Sequence, residues 1–280
     1  MNNILPKFSV LMTVYNAEKP EYLNSALNSI ENQTLVPDEI VIVKDGKLND
    51  ALELVLSKHK NRFMNIYKII SLEKNCGRGY ASKIGVSHIT NDWVARMDSD
   101  DISLKNRFEL QMLAINKYKR IYPNLAVVGG QLNEFVCDES NIVGHRNVPL
   151  NWDRIKQFAA YRSPVNNPTV MIKTSAIKQV GGYSKLNTME DYDLWVRFII
   201  SDFEIINIPD VIVNMRVNNM YSKRGGFRYL YQYMCMKRKW RKLGLGNLKT
   251  EILSDFYMTL SVIMPTWSRK IIYQKLLHRK

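Results

Sequence analysis

The first strong pattern in the chain is an apolar, largely β-branched run at 8–14, FSVLMTV, which reads as a buried strand. Over 21–33 the apolar positions Leu23, Ala26, Leu27 and Ile30 recur at helical spacing and share one face. Pro37 interrupts that pattern, and EIVIV at 39–43 predicts a second strand running into Lys44-Asp45-Gly46. A helix over about 50–60 and a strand at about 66–71 continue the alternation. There follow a helix entered through a glycine turn at 77–88, a strand at 92–97, a helix at 104–118, and strands at 125–129 and 166–173. A turn at 180–183 precedes a helix over 190–200 whose first-turn acids suit the helix dipole. Strands alternating with helices predict an α/β fold with a Rossmann-like, doubly wound, mostly parallel sheet flanked by helices. Its ligand crevice lies at the carboxyl ends of the strands, where Thr13, Tyr15 and Asp45 fall.

Composition narrows the class without changing this picture. At 280 residues, 46% apolar and 24% charged, the chain suits one large domain with an appendage. Cys76, Cys137 and Cys235 are odd in number and form no CxxC, which argues against a disulfide framework or a zinc knuckle and favours a reducing cytosol. The first eight residues lack the features of a signal peptide. The net charge of +14 is unevenly placed: 1–220 carry 26 Lys and Arg against 24 Asp and Glu, whereas 221–280 carry 14 against 2. This divides the chain into a domain at 1–220 and a basic helical extension at 221–280. Such a tail serves nucleic acid or an anionic membrane, and composition does not choose between them.

Two acidic motifs carry candidate chemistry. Asp98-Ser99-Asp100 follows a strand directly, and carboxylates two positions apart there can hold a hard divalent cation on a diphosphate. The plain alternative is that Asp100 or Asp101 caps the next helix. Glu190-Asp191-Tyr192-Asp193 either decorates a helix start or includes a base for an acceptor hydroxyl. Trp195, four residues beyond Asp191, is a sugar-stacking ring or plain core.

Taken in order, FSVLMTVYNAEKPEYLNSALNSIENQT at 8–34, DEIVIVKDG at 38–46, NCGRGYASKIGVSHITNDWVARMDSDDISLKNRFELQ at 75–111, NPTVMIKTSAIKQVGGY at 167–183 and EDYDLW at 190–195 resemble the family 2 glycosyltransferases, with their GT-A fold. The resemblance implies an inverting transferase moving a hexosyl or N-acetylhexosaminyl group from a nucleotide sugar, usually a UDP-sugar, to a glycan. Thr13, Val14, Tyr15 and Asp45 then resemble the base-holding residues, Arg78 and Ser99 the donor side, and Asp98 and Asp100 the motif that holds Mn²⁺ or Mg²⁺. Asp191 resembles the catalytic base, with Glu190 as the second candidate. Gly181, Gly182, Tyr183 and Trp195 resemble the acceptor wall, and Arg216 and Arg224 late basic residues that close over the diphosphate. Two departures stand out: Lys83 occupies a position where many relatives have asparagine, and no histidine follows Arg216 in MRVNNMYSKRGG. That arginine and glycine cluster resembles the bacterial capsule and exopolysaccharide subgroup, which implies a lipid-linked acceptor and a cytoplasmic protein peripheral on the inner membrane face.

The extension interleaves Tyr229, Tyr231, Tyr233 and Trp240 with Arg228, Lys237, Arg238, Lys239, Arg241 and Lys242, a composition that also fits single-stranded nucleic acid or a glycan-binding role. Further on, Trp267, Ile271, Ile272, Tyr273, Leu276 and Leu277 beside Arg269, Lys270, Lys275, Arg279 and Lys280 fit a helix lying in a membrane interface. The stretch 252–267 is too short and interrupted to span a bilayer. The competing expectation is that the extension packs back on the domain.

Overall fold

A computed structural model describes residues 5–186, 188–218 and 226–264. Arg224 and the tail residues from Trp267 to Lys280 lie outside these described residues. Strand β1 (Phe8–Val14) is followed by α1 (Pro20–Glu31), β2 (Glu39–Lys44), α2 (Asp50–Arg62), β3 (Tyr67–Ser71), α3 (Arg78–Ser87) and β4 (Trp93–Asp98). Then come β5 (Ile102–Ser103), α4 (Arg107–Tyr118), β6 (Leu125–Phe135), β7 (Ile142–Arg146), α5 (Trp152–Ala159), β8 (Met171–Lys173), α6 (Thr174–Gln179), α7 (Glu190–Ile200) and β9 (Glu204–Arg216). The extension forms α8 (Phe227–Lys242) and α9 (Leu248–Ile263).

The strands form one sheet in the order β3-β2-β1-β4-β8-β6-β9-β5, with β7 beside β6. The first four are mutually parallel and nearly continuous in apolar residues, as strands covered on both faces must be. The far half is mixed, because β8 runs antiparallel to both β4 and β6 while β9 runs parallel to β6. One face packs Leu23, Leu27, Ile30, Leu52, Leu56, Phe108 and Met112 from α1, α2 and α4. The other packs Ala81, Val86, Ile177, Leu194, Trp195 and Phe198 from α3, α6 and α7.

Three local expectations change. The segment 166–173 is not one strand: Asn167–Thr169 is a 3-10 turn, because Pro168 has no N–H to give a ladder, and only Met171–Lys173 pairs. The helix expected from 104 begins at Arg107, since Ile102 and Ser103 pair with β9. Strand β6 runs on through Gly129 and Gly130, where an added Cβ would meet Asn207 Oδ1 at 2.2 Å and Ile212 Cδ1 at 2.6 Å, so β9 approaches closely. Neither β9, β7 nor α5 was among the predicted elements.

Helix α8 shares the second apolar layer. Leu230, Tyr233 and Trp240 are buried, Trp240 Nε1 donates to Asp193 Oδ1 at 3.2 Å, and Tyr233 Oη donates to the Tyr161 carbonyl at 3.1 Å. Lys237 is buried too, its ammonium donating to the Ala160 carbonyl. The aromatic and basic pattern is therefore no stacking platform for bases: two of its four rings are core. Helix α9 returns along α8 after a turn with positive φ at Gly244 and Gly246, and starts in a capping box between Asn247 and Thr250. Among the described residues no helix is long and apolar enough to cross a membrane.

Candidate active site

Register puts the site together. Thr13 lies opposite Val43 on β2 and Asp98 on β4, so three parallel strands end level and deliver their following residues to one edge. Tyr15 stands exposed there. Val14 points into the core and its carbonyl accepts the Asp45 N–H at 2.8 Å, so only its backbone borders the crevice. Asp45 is buried, and its two oxygens accept from Cys76 N at 2.7 Å and Gly77 N at 3.0 Å. That carboxylate pins the turn from which α3 starts.

The acidic loop after β4 rests on three arginines. Arg96, 2% exposed, donates to Asp98 Oδ1 at 2.8 Å and Thr13 Oγ1 at 3.1 Å. Arg107, fully buried, donates to the Arg96 carbonyl at 2.7 Å and to Gln111 at 3.2 Å. Burial lowers the Arg107 guanidinium, against the pull of Asp101 and Asp98. Arg216 gives its N–H to Asp101 Oδ1 at 2.8 Å and its Nε to the Asp100 carbonyl at 3.0 Å, while its guanidinium stacks on Tyr22 and Phe135 at 3.8 and 4.4 Å. Arg216, expected at the diphosphate, here holds this loop. Neither Asp100 nor Asp101 caps α4, whose N-cap is Asn106.

Within that frame the acids crowd one another. Burial, then the charges of Asp98 and Glu18, push the Asp100 carboxyl up to about 7. Burial and the charges of Asp100 and Asp98 hold Asp101 well above the carboxylate range. Ser99 does not face the crevice freely; its hydroxyl donates to Glu18 Oε2 at 2.6 Å. A hard divalent cation fits this cluster, because it would relieve a repulsion that the arginines below do not cancel, and Asp98 and Asp100 offer the oxygen donors such ions take. Among the described residues no group of three or more His, Cys, Asp and Glu side chains is arranged to hold a metal ion.

Across the crevice, α7 begins after Met189, which sits at φ 61, an unfavourable region for a side chain of that size. Glu190 is buried and pairs with Arg78, which reaches it through Nε at 2.8 Å and through a second guanidinium nitrogen. Its other oxygen, Oε2, is buried without a hydrogen-bond partner. Burial, with the charge of Asp191, raises the Glu190 carboxyl. Asp191 is only partly buried and accepts the Tyr192 N–H at 2.8 Å. Burial would lower Arg78, but the charges of Asp98, Glu190 and Asp191 raise it overall. Charges from both acidic motifs therefore act on one guanidinium, which pairs with Glu190 beside a small cavity of about 60 Å³ lined by Gly77, Arg78, Tyr80, Lys185 and Glu190.

The acceptor-wall residues divide. Tyr183 is buried under the same acids, its hydroxyl without a partner and raised by that burial. Gly181 and Gly182, at φ 85 and 71, end α6 by donating to the Lys178 and Ile177 carbonyls, a capping geometry that needs left-handed residues. Trp195 is corrected to core: it is fully buried, with Phe198 packed beside it, and is closed to a sugar.

Residues 9–179 match Glycosyl transferase family 2. The chain belongs to that family. An amylovoran biosynthesis glycosyltransferase of Erwinia amylovora is 34% identical over 96% of this chain and 98% of its own length. The UDP-Gal:alpha-D-GlcNAc-diphosphoundecaprenol beta-1,3-galactosyltransferase of Escherichia coli is 32% identical over 100% of this chain and 99% of its own. The family 2 chain also shares its fold with a mannosyltransferase from Pyrobaculum calidifontis solved with GDP-Man and Mn²⁺, at TM-score 0.61 and 15% identity, covering 98% of this chain and 81% of that one. The Erwinia and Escherichia relatives put it with the bacterial polysaccharide enzymes of the family, and the fold is GT-A. Glu18, Arg96, Asp101 and Arg107 complete a site that sequence reasoning had built from other residues. A guanidinium inside the buried strand WVARMD was the available signal for Arg96.

Proposed function

We propose that this glycosyltransferase is an inverting enzyme that moves a hexosyl or N-acetylhexosaminyl group from a UDP-sugar to a lipid-linked glycan in cell-surface polysaccharide synthesis. The observation that carries the reading is the ion pair of Arg78 with Glu190, next to Asp191 and under the charge of Asp98 at the carboxyl end of β4. Thr13 and Tyr15 border the place for the base, and Arg78 lies where it can bind the donor's negative charge. Held by Asp98 and Asp100, Mn²⁺ or Mg²⁺ would neutralise the diphosphate as it leaves. We assign Asp191 as the base that takes the acceptor proton, since Glu190 spends one oxygen on Arg78 and is buried. One in-line displacement then inverts the anomeric carbon. The lipid-linked acceptor is supported by the diphosphoundecaprenol substrate named for the Escherichia coli relative, and it would set this protein on the cytoplasmic face of the membrane.

The test is a panel of nucleotide sugars, with and without Mn²⁺, scored for nucleotide release, followed by proton NMR of the product. Metal-dependent release from a UDP-sugar and a β-linked product from an α-linked donor support the reading. Undiminished transfer in excess chelator, or retained α configuration, overturns it.

A further inference from the structure

Helix α9 turns Glu251, Ser254 and the partly buried Met258 to the protein and a broad apolar side outward. Glu251 and Ser254 are buried against α8, with Glu251 paired to Arg241 and, at 3.7 Å, to Arg238. Leu248, Ile252, Phe256, Tyr257, Leu260 and Ile263 are instead exposed, by 37 to 66%. At about 100° per residue they cover one half of the helix circumference, and Lys249 falls among them. Single exposed apolar residues are ordinary, but a continuous face of this width marks an interaction surface.

The outer side of α8 extends that face with Phe227 and Tyr231, 80 and 70% exposed, and edges it with Arg228, Arg238, Lys239 and Lys242. The only two acids of 221–280 are withdrawn from it: Glu251 is buried on the arginines, and Asp255 lies near Lys237 and Glu251. The outward surface is thus apolar and cationic. A second copy of the chain would bring two such cationic faces together, whereas an anionic bilayer satisfies both properties at once: acyl chains take the apolar ridge and headgroups take the lysines and arginines.

We propose that the outer face of the α8–α9 pair is a docking surface for an anionic lipid bilayer, with Ile252, Phe256 and Ile263 inserted below the headgroups. This rests on the reading of a lipid-linked acceptor and says which part of the protein meets the lipid. Helix α8 is tied to Tyr192 and Asp193, the two residues after Asp191, so the docking face is built directly onto the helix that carries the assigned base.

The test uses the full chain and sedimentation with vesicles of phosphatidylglycerol or of phosphatidylcholine. The wild type should bind the anionic vesicles, bind neutral ones far less, and be released by salt, because headgroup attraction is screened over about 8 Å at physiological ionic strength. Ile252→Glu with Phe256→Glu should weaken anionic binding by about tenfold or more, and Lys239→Glu with Lys242→Glu should also weaken it and blunt its salt dependence. All four positions are exposed, and far-ultraviolet circular dichroism checks that each variant keeps its helices. Metal-dependent nucleotide release without vesicles should be unchanged in both variants, which separates a failure of docking from a failure of the transferase reading. Vesicle binding by the Ile252/Phe256 variant equal to wild type, or no binding by the wild type, overturns the proposal. A wild-type dimer in sedimentation velocity that this variant dissociates, without vesicle binding, assigns the face to a second copy instead.

Discussion

Lys237 offers the sharpest quantitative test of how the extension is attached. Its ammonium donates to the Ala160 carbonyl and lies 3.4 Å from the Tyr192 hydroxyl, with the rings of Tyr192, Tyr233 and Trp240 at 5.7, 5.9 and 6.0 Å. Burial outweighs the attraction of Asp255 and Glu251 and lowers this lysine to about 8. The unfolded chain keeps the same proton to about 10.4, so between these values the unfolded state binds more protons and stability rises with pH. At about 1.4 kcal/mol per unit, the protonated lysine costs the fold about 3 kcal/mol below pH 8. Going from about pH 7 to 9.5 should recover about 2 kcal/mol of it. For a chain of this size that raises the melting temperature by about 3 °C. Above about pH 10 the sign reverses, because burial raises Tyr67, Tyr183 and Tyr192 while their unfolded counterparts ionise.

Lys237→Met keeps the length of the stem and removes the charge. At pH 7 it relieves the cost of the buried ammonium but leaves the Ala160 carbonyl without its donor, a loss of about 1–3 kcal/mol, so the two effects nearly cancel there. Thermal unfolding of both proteins at several pH values from 7 to 9.5 isolates the lysine, since every other titration is common to the pair. The wild type should gain stability over this range relative to the variant. Parallel profiles would mean that Lys237 titrates in the folded state as it does in water, and the packing argument for α8 would be wrong.

Other expectations concern the site. Asp100→Asn should leave the fold intact and remove most turnover in the nucleotide-release assay, with excess chelator doing the same to the wild type. Asp191→Asn should lower kcat by about 10²–10⁴ with the donor KM nearly unchanged, whereas Glu190→Gln, which weakens the hold on Arg78, should change donor KM as well; steady-state kinetics separate the two. Trp195→Ala should cost about 3–5 kcal/mol in urea unfolding, because it empties a core site. A loss of acceptor affinity at full stability would instead return Trp195 to the acceptor wall.

Order and type of the early elements were legible because they depend on near neighbours. FSVLMTV and EIVIV have no polar face to show water, and a strand followed by an acidic turn announces a crevice wherever the sheet is parallel. Asp98 and Asp100 could be singled out for the same reason, since they follow a strand whose end the local pattern marks, whereas choosing Asp191 within its acidic run took the family resemblance. Strand β9 was harder, since its alternation breaks at Pro209-Asp210 and its partner β6 lies some eighty residues earlier.

What tertiary structure decided is how each charged or aromatic side chain is used. Arg96, Arg107 and Arg216 look alike as letters, yet two that flank the acidic loop and one that lies 116 residues beyond Asp100 come together beneath it, where their donors meet Asp98 and the Arg96 and Asp100 carbonyls. Asp45 spends its oxygens on the turn before α3, and Trp195 faces the sheet rather than the crevice. The basic extension divides by helix face: Lys237 and Trp240 go inward to α7, while the apolar side of α9 goes outward. Sequence by itself determined the strand-helix alternation and the acids at the strand ends, because those follow from spacing along a few turns. Only the folded chain decided which charges meet, because Arg78 and Glu190, 112 residues apart, have no local signal that they will pair.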